Sequence, residues 1–327
     1  MMQLGIVGLG AGAATALLFA SATSGSWLSV ILFYLAALPV MIAGLGWSHW
    51  AAMIAALSGA LVVGGVFGMT PLFTFLVGVG IPAWWLSYLA LLARPVTAGP
   101  GSIPAPANDA LEWYPVGRLV AWAAVMAPIF IVVVLILSFG IDADDFRAAM
   151  TKTIAEALSR FFAENPELSK ASSERLVAFL VAITPPTAAV GTTIISVVNL
   201  WIAARVVSFS NRLKRPWPDL SATSFPKTLI AALAIALVLN VAGGMLGIIA
   251  LVFSSTLMLA FALVGLAVLH TVTRGLAGRP FMLGSVYISA PLLSGWPILA
   301  FALIGLGETA FDLRARLAHK RGASPRT

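Results

Sequence analysis

Charge is what this sequence has least of. Its 327 residues include 19 Lys/Arg and 12 Asp/Glu, 9% of the chain, where a soluble domain carries about 25%. Apolar residues make up 60% and mean hydropathy is +1.01. That leaves too little polar surface to wrap a globule in water, and a soluble enzyme is excluded. Cysteine is absent, which excludes disulfides, thiolate metal sites, cysteine nucleophiles and iron–sulfur ligation. The only histidines are His49, His270 and His319, so no multi-histidine metal centre is expected. There is no Walker motif, no Gly-x-Ser-x-Gly elbow and no His-Glu-x-x-His. The Gly5-x-x-Gly8-x-Gly10 cluster lacks a preceding strand and a following acidic residue, so it is not a dinucleotide loop. The expectation is no catalytic residue, no metal and no cofactor.

The position of the charges says more than their number. The first 93 residues carry none, and further charge-free runs cover 119–141, 176–204, 228–273 and 280–307. About 20 apolar residues rising roughly 1.5 Å each cross a bilayer core of roughly 30 Å. The fold class is therefore all-α, a polytopic transmembrane helix bundle. Residues 1–93 form a Gly/Ala-rich region of four helices (about 2–21, 27–46, 50–69 and 71–93), divided at Ser21–Ser26, at Gly46–Trp50 and at Thr70-Pro71. A Pro-rich linker occupies 94–118, span 5 covers 119–141, and an extracytoplasmic segment covers 142–175. Span 6 runs over 176–207, a basic loop over 208–227, a C-terminal membrane region over 228–308 and a basic tail over 309–327. The run 228–273 is too long for one span, and Phe253-Ser254-Ser255 is the natural hairpin tip, giving spans 7 and 8. The stretch 280–307, interrupted by Pro291, Ser294-Gly295 and Pro297, is either a re-entrant pair or a ninth span.

Orientation follows from Lys and Arg in short loops. Arg205, Arg212, Lys214, Arg215 and Lys227 face a single Asp219, which places 208–227 in the cytoplasm. Counting back, 142–175 lies outside and the N-terminus inside. Counting forward, the basic tail is cytoplasmic only if 280–307 re-enters, and that version has eight spans. The N-terminus has no basic n-region, so helix 1 is expected to be retained. The positive residues are scattered over loops, which argues against nucleic acid as a partner. The bilayer itself and membrane partner subunits are the expected partners, in a bacterial cytoplasmic membrane.

Between 143 and 163, Phe146, Met150, Ile154, Leu158 and Phe161/Phe162 recur at three to four residues, with Arg147, Lys152, Glu156 and Arg160 on other faces. This spacing predicts an amphipathic helix, capped by Asp142 or Asp144, lying on the outer leaflet or roofing a pocket. No ionisable residue falls near a bilayer centre in these spans, which removes the usual residues of proton relays. The candidate substrate-binding residues are neutral: Trp84, Trp85, Asn199, Asn240 and the Thr184-Pro185-Pro186 segment. Its two prolines lack the amide hydrogen and should break or kink span 6. Small residues at Gly8, Gly12, Ala16 and Ala20, and at Gly64 and Gly68, are candidate helix-packing or partner-docking stripes.

The C-terminal third carries a resemblance. It runs from Arg212-Leu-Lys-Arg through Gly265-Leu-Ala-Val-Leu-His270, Arg279, Tyr287, Pro291 and Pro297 to Leu303-Ile-Gly-Leu-Gly-Glu308 and Phe311-Asp-Leu-Arg314-Ala-Arg316. It resembles the YybS-like family of predicted bacterial inner-membrane proteins, although Glu308 stands where an Asp is expected. That family is in turn similar to the S-components of energy-coupling-factor transporters and to the rod-shape protein MreD. The S-component likeness implies a neutral membrane pocket for a small molecule, with Ala16-Leu-Leu-Phe-Ala20 as the docking motif for a coupling subunit. The MreD likeness implies a scaffold that recruits envelope proteins. An enzyme acting on lipid has no nucleophile in its favour.

Overall fold

The computed structural model describes residues 2–95, 111–165, 170–292 and 296–320. Most of the Pro-rich linker, Pro166, Ser294-Gly295, Arg321 and Arg326 lie outside them. The described chain is helical apart from one two-stranded hairpin, and it forms a polytopic helix bundle. Seven helical segments are long and apolar enough to cross a membrane: Met2–Ser24, Trp27–Gly46, His49–Phe67, Met69–Ala90, Val116–Phe139, Lys170–Phe209 and Gly244–Val272. The chain is a multi-pass membrane protein. It divides into two units, Met1–Ala123 with Ile194–Ser224, and Ala124–Thr193 with Phe225–Thr327.

In the first unit, α1 (Met2–Ala20) and α2 (Trp27–Tyr34) are joined by a short 3-10 turn. The helices α3 (Leu38–Gly46), α4 (His49–Phe67), α5 (Met69–Phe75) and α6 (Ile81–Ala90) follow. Ser26 and Ser48 cap α2 and α4 by accepting from the amides of Ser29 and Ala51, as short hydroxyl side chains do at helix starts. The stripe on α1 is a packing face. Gly8 and Gly12 are buried with Ala16, and a methyl group on Gly8 would sit 2.6 Å from Ile54. On Gly12 it would overlap Ser58 and the Ala55 carbonyl. Ala20 is only partly buried. Gly64 and Gly68 do not form a second stripe. Gly64 faces Leu72 of the next helix, and Gly68 ends α4 with φ +93°, a conformation that glycine adopts without a Cβ clash. The break therefore falls at Gly68 rather than Thr70-Pro71, with Pro71 in the first turn of α5, where its missing N–H costs nothing.

After α6, β1 (Ala93–Pro95) pairs antiparallel with β2 (Leu111–Trp113), Arg94 opposite Glu112, and the two side chains form an exposed ion pair at 2.7 Å. Helix α7 (Val116–Phe139) runs from the first unit into the second. It is followed by α8 (Ala143–Ala157) and α9 (Ser159–Glu164). The amphipathic periodicity holds over its first half, where Phe146 and Met150 are buried and Asp142 caps α8 by accepting from the amides of Asp144 and Asp145, whereas the helix is interrupted at Leu158 and Phe161 is exposed.

Helix α10 (Lys170–Phe209) continues as a single helix through Pro185 and Pro186, so of the expected break or kink the break does not occur. The prolines remove two donors without ending the helix, and the Thr184 hydroxyl adds a bond to Leu180 O at 2.7 Å. The next helices correct another expectation. Helix α11 (Thr228–Leu239) and a short 3-10 turn end at Asn240–Gly244, and α12 (Gly244–Val272) passes straight through Ser254 and Ser255. The hairpin tip is thus at Gly243 and Gly244, with φ +68° and +56°, because consecutive left-handed residues reverse the chain and only glycines take them cheaply. Ser254 and Ser255 instead satisfy their hydroxyls on Leu251 O. The apolar stretch Thr228–Ala242 is consequently too short to count with the seven long spans.

The described residues of 280–307 belong to two helices, α13 (Arg279–Leu292) and α14 (Trp296–Phe311), and α15 (Leu313–Lys320) comes after them. Helices α12 and α14 cross antiparallel through reciprocal glycines. A Cβ on Gly265 would overlap the Phe301 carbonyl, and one on Gly305 would overlap the Phe261 carbonyl. One turn beyond Gly305, Glu308 is 6% exposed. Its carboxylate accepts from the Arg314 amide at 2.9 Å and from Arg314 Nε at 2.7 Å. Phe261 lies near the middle of α12, so this carboxylate is level with the central turns of a charge-free apolar helix. No charge was expected at such a level from the sequence.

Candidate functional site

The second unit contains a cleft of about 570 Å³. One wall is α8, through Phe146, Arg147 and Thr151, and another is α10, through Ala178, Val181, Ala182 and Pro185. The third is the α11–α12 turn, through Asn240, Gly243, Gly244, Gly247, Ile248 and Leu251. The size lies within the roughly 300–1,000 Å³ range of small-molecule sites, and the lining has the usual composition: apolar walls and a few placed polar groups.

Each wall has a local cause. Helix α8 is held by the Asp142 cap and by Phe146, whose ring meets Phe139 edge-on at 5.7 Å, leaving Arg147 and Thr151 exposed on the neighbouring face. Arg147 reaches Asp144 at 3.4 Å, with both side chains half or more exposed. Asp142 itself is held below the ordinary carboxyl range by the amides of Asp145 and Asp144. On α10, Pro185 and Pro186 lack the N–H groups that would donate to Val181 O and Ala182 O four residues earlier. Both of those residues line the cleft. On the third wall Gly243, Gly244 and Gly247 present no side chain, which leaves room.

Asn240 has a fixed orientation. Ser254 Oγ donates to Leu251 O at 3.1 Å, so it accepts from Asn240 Nδ2, also at 3.1 Å. Asn240 Oδ1 is buried and has no donor. A buried acceptor left unpaired costs about 1–3 kcal/mol. The cleft therefore has donors at Arg147 and Thr151 among otherwise mostly apolar walls, and the unpaired Asn240 Oδ1 is buried beneath its surface.

Of the residues singled out from the sequence, the cleft brings together Pro185 and Asn240. Thr184 is exposed and Pro186 only partly buried, and neither lines it. The others belong to the first unit. Asn199, 1% exposed, donates from Nδ2 to Tyr34 O at 2.7 Å and ties α10 to the end of α2. Trp84 and Trp85 join an aromatic cluster with Tyr88, which also meets His49, and Trp85 packs edge-on against Trp122 at 5.4 Å. Their indole N–H groups are buried without acceptors. Near the end of α10, Arg205 lies 4.0 Å over Trp217 of the basic loop, and on that loop Arg212 lies 4.5 Å over Trp47. These stacked cations have the composition of a membrane-interface belt.

Sequence reasoning missed Phe146, Arg147 and Thr151 as lining residues and the Gly243-Gly244 turn as a wall. The signal for the turn was present: adjacent glycines directly after a lone asparagine in an apolar run. Among the described residues, no group of three or more His, Asp or Glu could hold a metal ion.

A family model described as predicted membrane protein (DUF2232) matches residues 106–306, more than half of the chain. No curated protein and no solved structure matches it.

Proposed function

This chain belongs to the DUF2232 family of predicted membrane proteins, and on that premise we propose that it binds a small molecule in the cleft between α8, α10 and the α11–α12 turn. The observation that carries the reading is the combination at one place of an accommodating volume, apolar walls and a few polar side chains. The apolar part of a ligand covers Val181, Ile248 and Leu251, with Arg147 and Thr151 at hand for its polar part. Recognition of this kind needs no proton relay and no bond cleavage, so the protein acts as a binding or transport component of S-component type rather than as an enzyme.

The distribution of basic residues supports a cytoplasmic N-terminus in a bacterial inner membrane, which puts the cleft toward the outer face. The rival assignment is an MreD-like scaffold, whose work is done by its loops and tail. Native mass spectrometry of the purified protein separates the two. Wild-type protein is expected to carry a co-purified small molecule that is lost in Ala182→Trp, which fills the cleft from an exposed wall position. If the bound species is the same in both proteins, or if none is retained, the binding reading fails and the scaffold stands. Because the chain has no cysteine, single cysteines placed in α8 and in the 208–227 loop report sidedness to impermeant maleimides. Labelling from outside is expected only at α8.

A further inference from the structure

We infer that the occupant of this cleft is a single-chain anionic amphiphile, an alkyl chain ending in a carboxylate or phosphate. The inference rests on the binding reading above and adds the chemical class. Three observations converge on it. Among the described residues Arg147 is the one charged side chain on the cleft wall, and its guanidinium is exposed rather than locked: its Asp144 contact is long, at 3.4 Å, and Asp144 is almost fully solvated. Thr151, one turn along α8, puts a hydroxyl beside it on the same wall. Besides that polar corner the lining offers apolar surface, through Val181 on α10 and Ile248 and Leu251 on the wall that also carries the glycines. A charged end met by a fork of donors and an apolar wall in the same cleft match the two halves of an amphiphile. A neutral apolar ligand would leave Arg147 without use, and a compact polar anion would leave the apolar wall wet.

The source of the anion is left to the test, since a membrane-derived acyl chain and a free alkyl phosphate present the same chemistry. The full-length protein in non-ionic detergent is mixed with equimolar dodecanoate, dodecyl phosphate and dodecanol, and occupancy is read by native mass spectrometry. At least one of the two anions is expected to bind about tenfold more tightly than dodecanol, the size of one charge-assisted contact, and the better anion identifies the head group. Arg147→Gln should remove that preference and leave dodecanol unchanged, and Arg147→Lys should restore part of it. Asp144→Asn, which releases the guanidinium from its competitor, should strengthen anion binding. Ala182→Trp should abolish binding of all three. Equal binding of alcohol and anions, or an anion preference that survives Arg147→Gln, overturns the assignment of class while the cleft remains a binding site. Failure of all three to bind, together with co-purified species unaltered by Ala182→Trp, overturns the site itself.

Discussion

The two units solve the problem of polar groups among apolar helices in opposite ways. In the first, the charge-free residues 1–93 are packed through small residues, with Gly8 and Gly12 of α1 against α4, and the buried amide at Asn199 bonds a main-chain carbonyl of another helix. The side-chain ion pair Arg94–Glu112 of this unit is at the surface, with side chains 78% and 54% exposed. In the second unit Glu308 and Arg314 pair in the interior, at 7% and 15% exposed, besides a surface pair of Arg147 with Asp144, and the amide at Asn240 borders a cleft. Uniform packing of small residues makes a platform, whereas interrupted packing makes a site. The difference originates in three local sequence events, a capped amphipathic helix, a Pro-Pro step and a Gly-Gly turn, all of which fall in the second unit.

That contrast can be broken by experiment. The largest effect is expected from Glu308→Ala, which takes the paired carboxylate away from a buried guanidinium and a main-chain amide and should cost about 3–5 kcal/mol, read as a fall in thermal unfolding midpoint in detergent. Glu112→Ala, its surface counterpart, should leave the midpoint within error. If the two substitutions cost the same, the interior pair is not what distinguishes the units. Next come the glycine crossings. Gly305→Leu drives a side chain into the Phe261 main chain, which cannot move aside, and Gly12→Leu meets Ser58 and the Ala55 carbonyl. Each should cost about 1–3 kcal/mol or more, with Gly305→Leu the worse.

The asparagines sharpen the comparison further. Asn199→Leu leaves Tyr34 O without its donor and should cost about 1–3 kcal/mol with no effect on ligand occupancy. Both amides carry a buried oxygen without a donor; Asn240→Leu should cost less in stability because Ser254 keeps its bond to Leu251 O, and it should lower occupancy instead because Asn240 lines the cleft. The smallest effect concerns Asp142. Its folded-state carboxyl is held below the ordinary value by two amides, so its contribution is present above the unfolded carboxyl range. It is lost as pH falls below about 4 and continues toward the lower folded value. Asp142→Asn keeps an acceptor at the cap, and it should flatten that part of the stability–pH curve without moving the neutral-pH midpoint.

Charge-free runs made the spans legible, because hydrocarbon tolerates so few polar atoms that their absence is a direct measure of depth. The amphipathic α8 was legible for a similar reason: its apolar period and its Asp142 cap are both local. What could not be read was decided by partners distant in sequence. Ser254 and Ser255 looked like a turn, yet a helix accommodates serine whenever the carbonyl of Leu251 is within reach. Pro185 and Pro186 looked like a break, yet α10 is long enough on either side to carry the loss of two bonds. Asn199 and Asn240 were indistinguishable as lone amides, and only the identity of the group opposite each, a main-chain carbonyl or a serine beside a cleft, separates them. Trp84 and Trp85 suggested a pocket lining because aromatic pairs suit both tasks, and Tyr88 and Trp122 take up their faces instead.

The Glu308–Arg314 pair has one more consequence, for how the C-terminal region is inserted. Both partners come from seven consecutive positions, so acid and base can neutralise each other before any other part of the protein has arrived. Arg314 then contributes nothing to the vote by which cationic flanks retain a segment on the side of synthesis, and that vote passes to Arg316 and the residues after it. Removing the acid alone would return Arg314 to the count. The same substitution that loosens the finished molecule would thus strengthen the signal that orients the nascent one.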